Sequence, residues 1–343
     1  MATLVALALL AVPVAAQLAP ELQRPEVPLG LDLYMPVPDD NPVTHEKVTL
    51  GRRLFSDTIL SRDRRVACVT CHEPERAFTD GRAVAVGIFG RTGTRNVPTL
   101  INRGYGATFF WDGRISSLEA QVLQPIQDRK EMDLTPADAV ERLQDHRQYP
   151  ALFQAAFGRT ITADDLGRAL ASYVRTILSG NSPLDHYMNG DRDALSPQAR
   201  RGLTIFRGKG NCATCHVGPT LTDERFHNTG VAWQEGTLLD QGRYMVTGVE
   251  EDRGAFKTPT LRNVERTAPY MHDGSITTLE EVIDYYDRGG NKTIHLDPEL
   301  RPLKLAAEEK QALVALLRSL SGTIQEGLPA SSVIASPRPP RHP

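Results

Sequence analysis

All four cysteines of this 343-residue chain fall in two units of one pattern, CVTCH at residues 68–72 and CATCH at residues 212–216. Cysteines three apart on a helical turn share a face, so both thiols can reach the two vinyl groups of one porphyrin while the following histidine reaches its iron. A zinc site made of two such pairs would need a spacing of about 15–20 residues, but these begin 144 residues apart. A redox dithiol would leave both histidines unexplained. The pattern therefore predicts two covalently bound haem c groups. The predicted attachment and iron-ligand residues are Cys68, Cys71 and His72 in the first unit and Cys212, Cys215 and His216 in the second.

Further repeats accompany these units. The segment DGRISSLE at residues 112–119 recurs as DGSITTLE at residues 273–280, an offset of 161 residues. A Pro-Thr-Leu triplet precedes each copy, at residues 98–100 and 259–261. Because the motifs recur in the same order, the sequence predicts two related helical modules. The turn-rich residues 180–195 separate them.

The two ends of the chain differ from the rest in composition. The hydrophobic run at residues 4–16 is too short to span a bilayer and ends in small residues, as a secretory signal does, although no positive charge precedes it. We predict a signal peptide at residues 1–16 and a periplasmic protein, with a buried N-terminal helix or an uncleaved anchor as alternatives. The Pro-rich residues 326–343 predict a disordered tail. Between them we predict an N-terminal haem domain at residues 17–185 and a C-terminal haem domain at residues 186–325.

Helix signals dominate, whereas the short alternating runs that predict strands are almost absent. Capping residues and apolar periodicity predict helices at residues 135–146, 162–179, 196–207, 278–288 and 306–320. The predicted fold class is all-α with long loops. The formal charge of −3, without long Lys or Arg runs, provides no basic surface for phosphates and argues against nucleic acid as a partner.

The modules differ where a sixth iron ligand would come from. The apolar face of the predicted helix at residues 278–288 is formed by Leu279, Val282, Ile283 and Tyr286. Tyr286 is thus expected to point inward and Tyr285 elsewhere. The repeat offset places Pro125 at the equivalent position of the first module, and proline cannot ligate iron. Since a vacant sixth position permits peroxide chemistry, the first haem is predicted to be open and the second to be closed by Tyr286. A core tyrosine is the alternative for Tyr286, and the other candidate ligands are Met271, Met245 and His272.

Longer segments are more specific than CxxCH. They include LFSDTILSRD, CVTCHEPERAFTDG, RNVPTL, FFWDGR, GNCATCHVGP, FHNTGV, FKTPTLRNV and APYMHDGSITTLEEV. On these segments, the chain resembles the bacterial dihaem cytochrome c peroxidase family and, within it, the MauG type. The resemblance implies two cytochrome c-like domains that face each other, with a bound calcium and a tryptophan between the haems, and hydrogen peroxide as the oxidant.

The resemblance also implies roles for individual residues. Trp111 in FFWDGR matches the bridging tryptophan, a role compatible with that of a buried core aromatic. Glu131 matches the glutamate that serves as acid–base group over the first haem, with a solvated surface carboxylate as the alternative. Asn96 matches the side-chain ligand of the calcium. Thr267 and Pro269 match positions whose backbone carbonyls provide the hard oxygen donors that calcium requires.

Comparison within the family favours the MauG type in two respects. The loop at residues 87–96 contains no histidine, whereas better known members carry one that caps the first haem, about where Ile88 stands. Those members also use a methionine as sixth ligand of the second haem, where this chain has Tyr286, as MauG does. In contrast, Gly210 stands where MauG has the tryptophan implicated in oxidising its protein substrate, which argues against tryptophylquinone synthesis.

Three functional hypotheses follow. The first is a peroxidase that reduces hydrogen peroxide to water at the first haem, with electrons from a small donor protein such as a cytochrome c or a cupredoxin. The second is a MauG-like enzyme that oxidises side chains of a partner protein. The third is a non-catalytic dihaem electron carrier, against which Pro125 and the histidine-free loop argue. A homodimer is the assembly considered.

Overall fold

The computed structural model describes residues 25–329, so the predicted signal peptide and the last fourteen residues of the predicted tail lie outside the described part. The described residues form short helices joined by long loops. The helices are α1 (His45–Ser56), α2 (Cys68–Cys71), α3 (Leu118–Gln121), α4 (Gln124–Gln127), α5 (Pro136–Gln144), α6 (Tyr149–Phe157), α7 (Ala163–Val174), α8 (Pro183–Met188), α9 (Pro197–Arg207), α10 (Tyr244–Thr247), α11 (Leu279–Asp287) and α12 (Ala307–Arg318). No described helix has the length and apolar character needed to cross a membrane.

The predicted helices are confirmed, with shifts of a few residues at their ends. Thr135, Thr162, Ser196 and Thr278 each accept a hydrogen bond from the backbone N–H three residues later, at 3.1–3.2 Å. These side chains satisfy donors that a helix leaves unpaired in its first turn, and so fix where α5, α7, α9 and α11 begin.

The prediction of an all-α fold is only partly correct, because three two-stranded antiparallel sheets are present in residues 25–329. The strands are β1 (Leu178–Gly180), β2 (Phe226–His227), β3 (Trp233–Gln234), β4 (Thr237–Leu238), β5 (Phe256–Lys257) and β6 (Thr323–Gln325). The sheets pair β1 with β6, β2 with β5 and β3 with β4. The helix predicted to reach about residue 179 therefore ends at Val174. Strands of two or three residues are too short to show an alternating pattern.

The hydrophobic core consists of two large clusters, one drawn from residues 43–177 and the other from residues 184–320. In the first, α1 packs against α7; in the second, α9 packs against α12. Both pairs cross at a glycine: a Cβ added to Gly51 would lie 2.0 Å from the Ala169 carbonyl oxygen, and one added to Gly202 would lie 2.0 Å from that of Ala312. The two halves thus use the same helix crossing. The division at residues 185 and 186, which falls inside α8, stays a prediction.

Candidate haem sites and the segment between them

The two motif histidines are oriented alike. The Nδ1 of His72 lies 2.9 Å from the carbonyl oxygen of Phe78, and the Nδ1 of His216 lies 3.1 Å from that of Leu221. A carbonyl can only accept, so Nδ1 donates in each ring and Nε2 keeps a free lone pair. Burial lowers the pKa of both histidines, that of His72 to about 4. Each ring is therefore neutral and has the tautomer that an iron ligand requires.

The four cysteines are partly buried and form no disulfide. Burial raises the pKa of Cys68 and Cys212 to about 12 and that of Cys71 to about 11. A thioether bond removes the thiol proton and carries no charge, so it suits this apolar setting better than a thiolate does. Together with the tautomers of the histidines, the cysteine pairs fit the attachment of a haem at each motif.

Cys215 also lies near Asp223 and His227, and these three residues could hold a metal ion. However, the two ring nitrogens of His227 lie 2.6 Å from Asp297 and 3.0 Å from Asp223. While Cys215 is a free thiol, hydrogen bonding to it and to both aspartates raises the pKa of His227 to about 10. Since carboxylates only accept, both nitrogens carry hydrogen, and the group is an ionic bridge rather than a metal centre.

Two threonines that the sequence interpretation did not single out support the loops behind the histidines. The hydroxyl of Thr99 donates to the carbonyl oxygen of Ala77, next to the residue that holds His72, at 2.6 Å. Thr260 donates to the carbonyl oxygen of Thr220, next to the residue that holds His216, also at 2.6 Å. These threonines are the central residues of the two Pro-Thr-Leu triplets. The recurrence of that triplet was the sequence feature that could have identified them as supporting residues.

Glu131 follows α4, the helix that carries Pro125, and lies in a tight turn whose backbone N–H groups donate to the Asp128 carbonyl oxygen. Burial raises the pKa of Cys68 and Cys71, and the charge of Glu131 is among the neighbouring charges that raise it further, so the Glu131 carboxyl lies within electrostatic range of both thiols. Burial, with the nearby charge of Asp128, raises the pKa of Glu131 itself to about 7, against the opposing effect of Arg114. Glu131 is thus not a fully solvated surface carboxylate.

The two tyrosines of α11 depart from the predicted assignment. Tyr285 is the more deeply buried, and its hydroxyl donates to the Thr229 carbonyl oxygen at 2.7 Å. Tyr286 is partly buried and packs edge-to-face on Tyr285. Burial raises the pKa of Tyr286, and the charges that act on it include Cys212 and Cys215. The expectation that Tyr285 points away from the core is therefore wrong, while Tyr286 lies within electrostatic range of the second motif.

The rival ligands differ in position. Met245 lies in α10 with 69% of its surface exposed, so it is not placed to reach a buried iron. His272 is buried and stacks on Phe256 with ring centroids 3.6 Å apart. Met271 is partly buried in the same loop and has a left-handed backbone, with φ of 73°.

Trp111 lies where the two halves of the chain meet. Its indole N–H donates to the Asn96 carbonyl oxygen at 2.9 Å, and its own carbonyl accepts from the backbone N–H of Lys257 in β5 at 2.8 Å. The backbone N–H of Asn96 in turn donates to the carbonyl oxygen of His272 at 2.6 Å. The candidate bridging residue is therefore tied to both halves.

The candidate calcium ligands lie along this junction. Asn96 donates its side-chain N–H to the Arg82 carbonyl at 2.8 Å, and no described donor reaches its Oδ1 or the carbonyls of Thr267 and Pro269. Nearby, Asp80 has one buried carboxylate oxygen without a hydrogen-bond partner, while the other accepts from the backbone N–H of Arg82. Oxygens without donors, of which that of Asp80 is buried, fit a hard cation.

The chain is similar in sequence to known dihaem proteins. The family described as di-haem cytochrome c peroxidase matches residues 45–193. The methylamine utilization protein MauG of Methylorubrum extorquens is 40% identical over 307 residues, covering 89% of this chain and 84% of that protein. Cytochrome-c peroxidase IdrP1 of Pseudomonas sp. strain SCT is 38% identical over 317 residues and covers 84% of each chain.

A solved structure is also similar over nearly the whole length. A MauG-like protein associated with microbial copper homeostasis matches with a TM-score of 0.78 at 35% identity, covering 90% of this chain and 97% of that one. The similarity includes both halves, each of which carries one CxxCH motif with its oriented histidine. The chain belongs to the di-haem cytochrome c peroxidase family and is an oxidoreductase with peroxide as acceptor.

Proposed function

We propose that this protein reduces hydrogen peroxide to water at the first haem site, with Glu131 as the acid–base group and the second haem site as the electron relay. The observation that carries the proposal is the Glu131 carboxyl, whose pKa is raised to about 7 by burial and whose charge acts on both cysteines of the first motif. The α4 segment beside it contributes Pro125, which has no iron-binding atom.

Bound haem would supply an iron that takes up peroxide and exchanges electrons. Reducing one peroxide consumes two electrons and two protons, and cleavage of the O–O bond requires a proton to move from one peroxide oxygen to the other. Glu131 would accept that proton and then donate it to the departing oxygen, which leaves as water. A carboxyl with a pKa near the working pH can do both.

The role proposed for Tyr286 is ligation of the second haem iron. Burial raises the pKa of its phenol, so the neutral form is the stable one unless a cation binds the oxygen. A metal ion inverts that preference, because it stabilises the deprotonated ligand. The resulting anionic donor would stabilise the oxidised second site, whereas Trp111 would connect the two sites.

Calcium and cellular location complete the proposal. We infer that Asn96, Thr267 and Pro269 hold one calcium ion at the junction of the two halves, where their oxygens lack donors within residues 25–329. Removal of calcium with a chelator is expected to weaken the junction, which a drop in thermal stability would reveal.

We also infer export to the periplasm from the predicted signal at residues 1–16.

Glu131→Gln tests the central step. Because general acid–base catalysis contributes about 10²–10⁴ in rate, the variant should react with peroxide slower by that factor and keep its haem spectra. Glu141→Gln, on an exposed position of α5, is the matched control and should react like the wild type. These rates are measured on the fully oxidised protein, which should react with peroxide before either haem is reduced. A loss of less than about threefold in Glu131→Gln would contradict the assignment.

Oxidation of a partner protein is the second candidate, favoured by the 40% identity to a MauG. The surroundings of Gly210 argue against it: a Cβ there would lie 2.9 Å from the Ile205 carbonyl oxygen and 3.3 Å from the Cys212 sulfur, so a tryptophan would require the backbone to shift. Stoichiometry separates the two functions. A peroxidase oxidises two reduced cytochromes c for each peroxide, whereas an enzyme specific for a partner protein leaves them reduced.

A further inference from the structure

The loop at residues 87–91 lies against the turn that carries Glu131. The backbone N–H of Ile88 donates to the Glu131 carbonyl oxygen at 2.8 Å, and the Ile88 side chain is fully buried. A Cβ added to Gly87 would lie 2.2 Å from the Lys130 carbonyl oxygen and 2.6 Å from the Glu131 Cα. This approach is possible because residue 87 has no side chain.

The turn has few bonds of its own. The carbonyl oxygen of Asp128 accepts the backbone N–H groups of Glu131, Met132 and Asp133 at 3.0, 3.1 and 3.0 Å. The chain then leaves through a left-handed residue, Asp133, with φ of 49°. The Asp128 carboxylate also accepts the Lys130 backbone N–H at 2.7 Å, so all four of these bonds converge on Asp128. Contacts from outside the turn hold its tip as well, among them the bond from Ile88 to the Glu131 carbonyl oxygen.

Arg91 provides such contacts on both sides of Glu131. Its Nη1 lies 2.5 Å from the Arg129 carbonyl oxygen and 3.0 Å from an Asp133 carboxylate oxygen. Hydrogen bonding to Arg91 lowers the pKa of Asp133, so this carboxylate stays charged. Arg62 approaches the same oxygen at 3.2 Å but has no contact with the loop among the described hydrogen bonds. One nitrogen of Arg91 thus ties the loop to the residues two before and two after Glu131.

We propose that Arg91 is a positioning residue for Glu131: by holding residues 87–91 on the turn, it fixes the Glu131 carboxyl over the first haem site. The inference rests on the proposed function, because it takes Glu131 to be the acid–base group. Without the loop, water would reach the carboxyl, and the effect of burial on its pKa would be lost. The charges that remain beside it are Asp128 and Arg114.

The test is Arg91→Ala in the holoprotein, with two measurements. Infrared titration, taken as the difference from Glu131→Gln, should show the pKa of Glu131 falling from about 7 towards the ordinary glutamate value of about 4.3. The rate with peroxide above that pKa should fall about tenfold to a hundredfold, as expected for a misplaced catalytic group. Arg91→Lys should stay within about threefold of the wild type, because a lysine has three donors on one nitrogen and Arg91 uses one nitrogen for both bonds.

Arg76→Ala is the matched control, since this arginine is paired at the surface with Glu73 at 2.9 Å, and it should behave as the wild type. An unchanged Glu131 pKa in Arg91→Ala would overturn the proposal. So would equal losses in Arg91→Lys and Arg91→Ala, or a change in the spectrum of the second haem, because these indicate a general structural role. The infrared titration needs no peroxide, so it tests whether Arg91 positions Glu131 even if the wild type does not react with peroxide. A wild type that does not react would contradict only the proposed function.

Discussion

The first and second haem modules hold their histidines in the same way. In each, a helix pair crosses at a glycine, Gly51 or Gly202. In each, a carbonyl orients the histidine through Nδ1, and a threonine hydroxyl supports the adjacent peptide. These corresponding parts all support the motif histidines.

The modules differ in the segments that we propose to lie across each haem site from the motif histidine. The first presents Glu131 on a tight turn after Pro125, covered by the loop at residues 87–91. The second presents Tyr286 from the longer helix α11. Under the proposed function, one scaffold would serve two purposes by keeping the supports behind the histidine and exchanging only the segment that carries Glu131 or Tyr286. The predictions below test this division, beginning with the largest expected effect.

Removal of one cysteine pair should remove one haem entirely. Cys212→Ala with Cys215→Ala is expected to leave the first haem attached, and Cys68→Ala with Cys71→Ala to leave the second, because each module has its own donors. Haem-stained denaturing gels and intact mass measure the content. Two covalent haems in either variant would show that the motifs are not the attachment sites.

Tyr286→Phe should change the second site alone. Loss of the phenolate would convert its low-spin resonance to high-spin or admit water, while the first haem still reacts with peroxide. Tyr285→Phe is the control, because it removes a hydroxyl that bonds the Thr229 carbonyl oxygen and no proposed ligand. Electron paramagnetic resonance compares the two variants. Identical spectra for wild type and Tyr286→Phe would show that Tyr286 is a core residue and does not ligate the second iron.

The reaction with peroxide should depend on pH through the first site. Glu131 must be a carboxylate to accept the proton, and burial raises its pKa to about 7, so the rate should fall about tenfold per unit below that pH and level off above it. His72, with its pKa lowered to about 4, stays neutral over this range. Stopped-flow rates from pH 5 to 9 test the profile. Glu131→Gln should flatten it, and a wild-type profile that is already flat would contradict the role of Glu131.

The smallest effects are expected at the two shared threonines. Thr99→Val and Thr260→Val each leave a carbonyl without its donor, which costs about 1–3 kcal/mol in the free energy of unfolding. The Ser variants keep the hydroxyl and should cost less. Urea titration of the holoprotein measures both pairs. A large loss in one module and none in the other would break the proposed equivalence.

The sequence was sufficient for features that rest on local chemistry. The CxxCH units are enough to predict haem attachment, and capping residues such as Thr135 and Ser196 mark helix starts through bonds to residues three positions away. The internal repeat also predicted two related halves, in which two cores with matching helix crossings are found.

Features that depend on distant contacts could not be predicted. The strands β1 and β6 pair across more than 140 residues, and Arg91 meets Asp133 across 42 residues, so neither leaves a local pattern. The assignment of Tyr285 failed because α11 is covered on two sides, by α12 and by the loop containing Thr229. A single apolar stripe describes a helix with one buried face, and this helix has two.

The hydrogen bonds around Trp111 bear on the rate of electron transfer between the two haem sites. The indole is bonded to Asn96, whose backbone N–H is bonded to the carbonyl oxygen of His272 in the other half. Hinge motions between domains take microseconds to milliseconds. A distance between the two halves that backbone hydrogen bonds set does not depend on such motions. If Trp111 connects the two haem sites as proposed, these bonds would fix the tunnelling distance, and internal electron transfer should be insensitive to solvent viscosity.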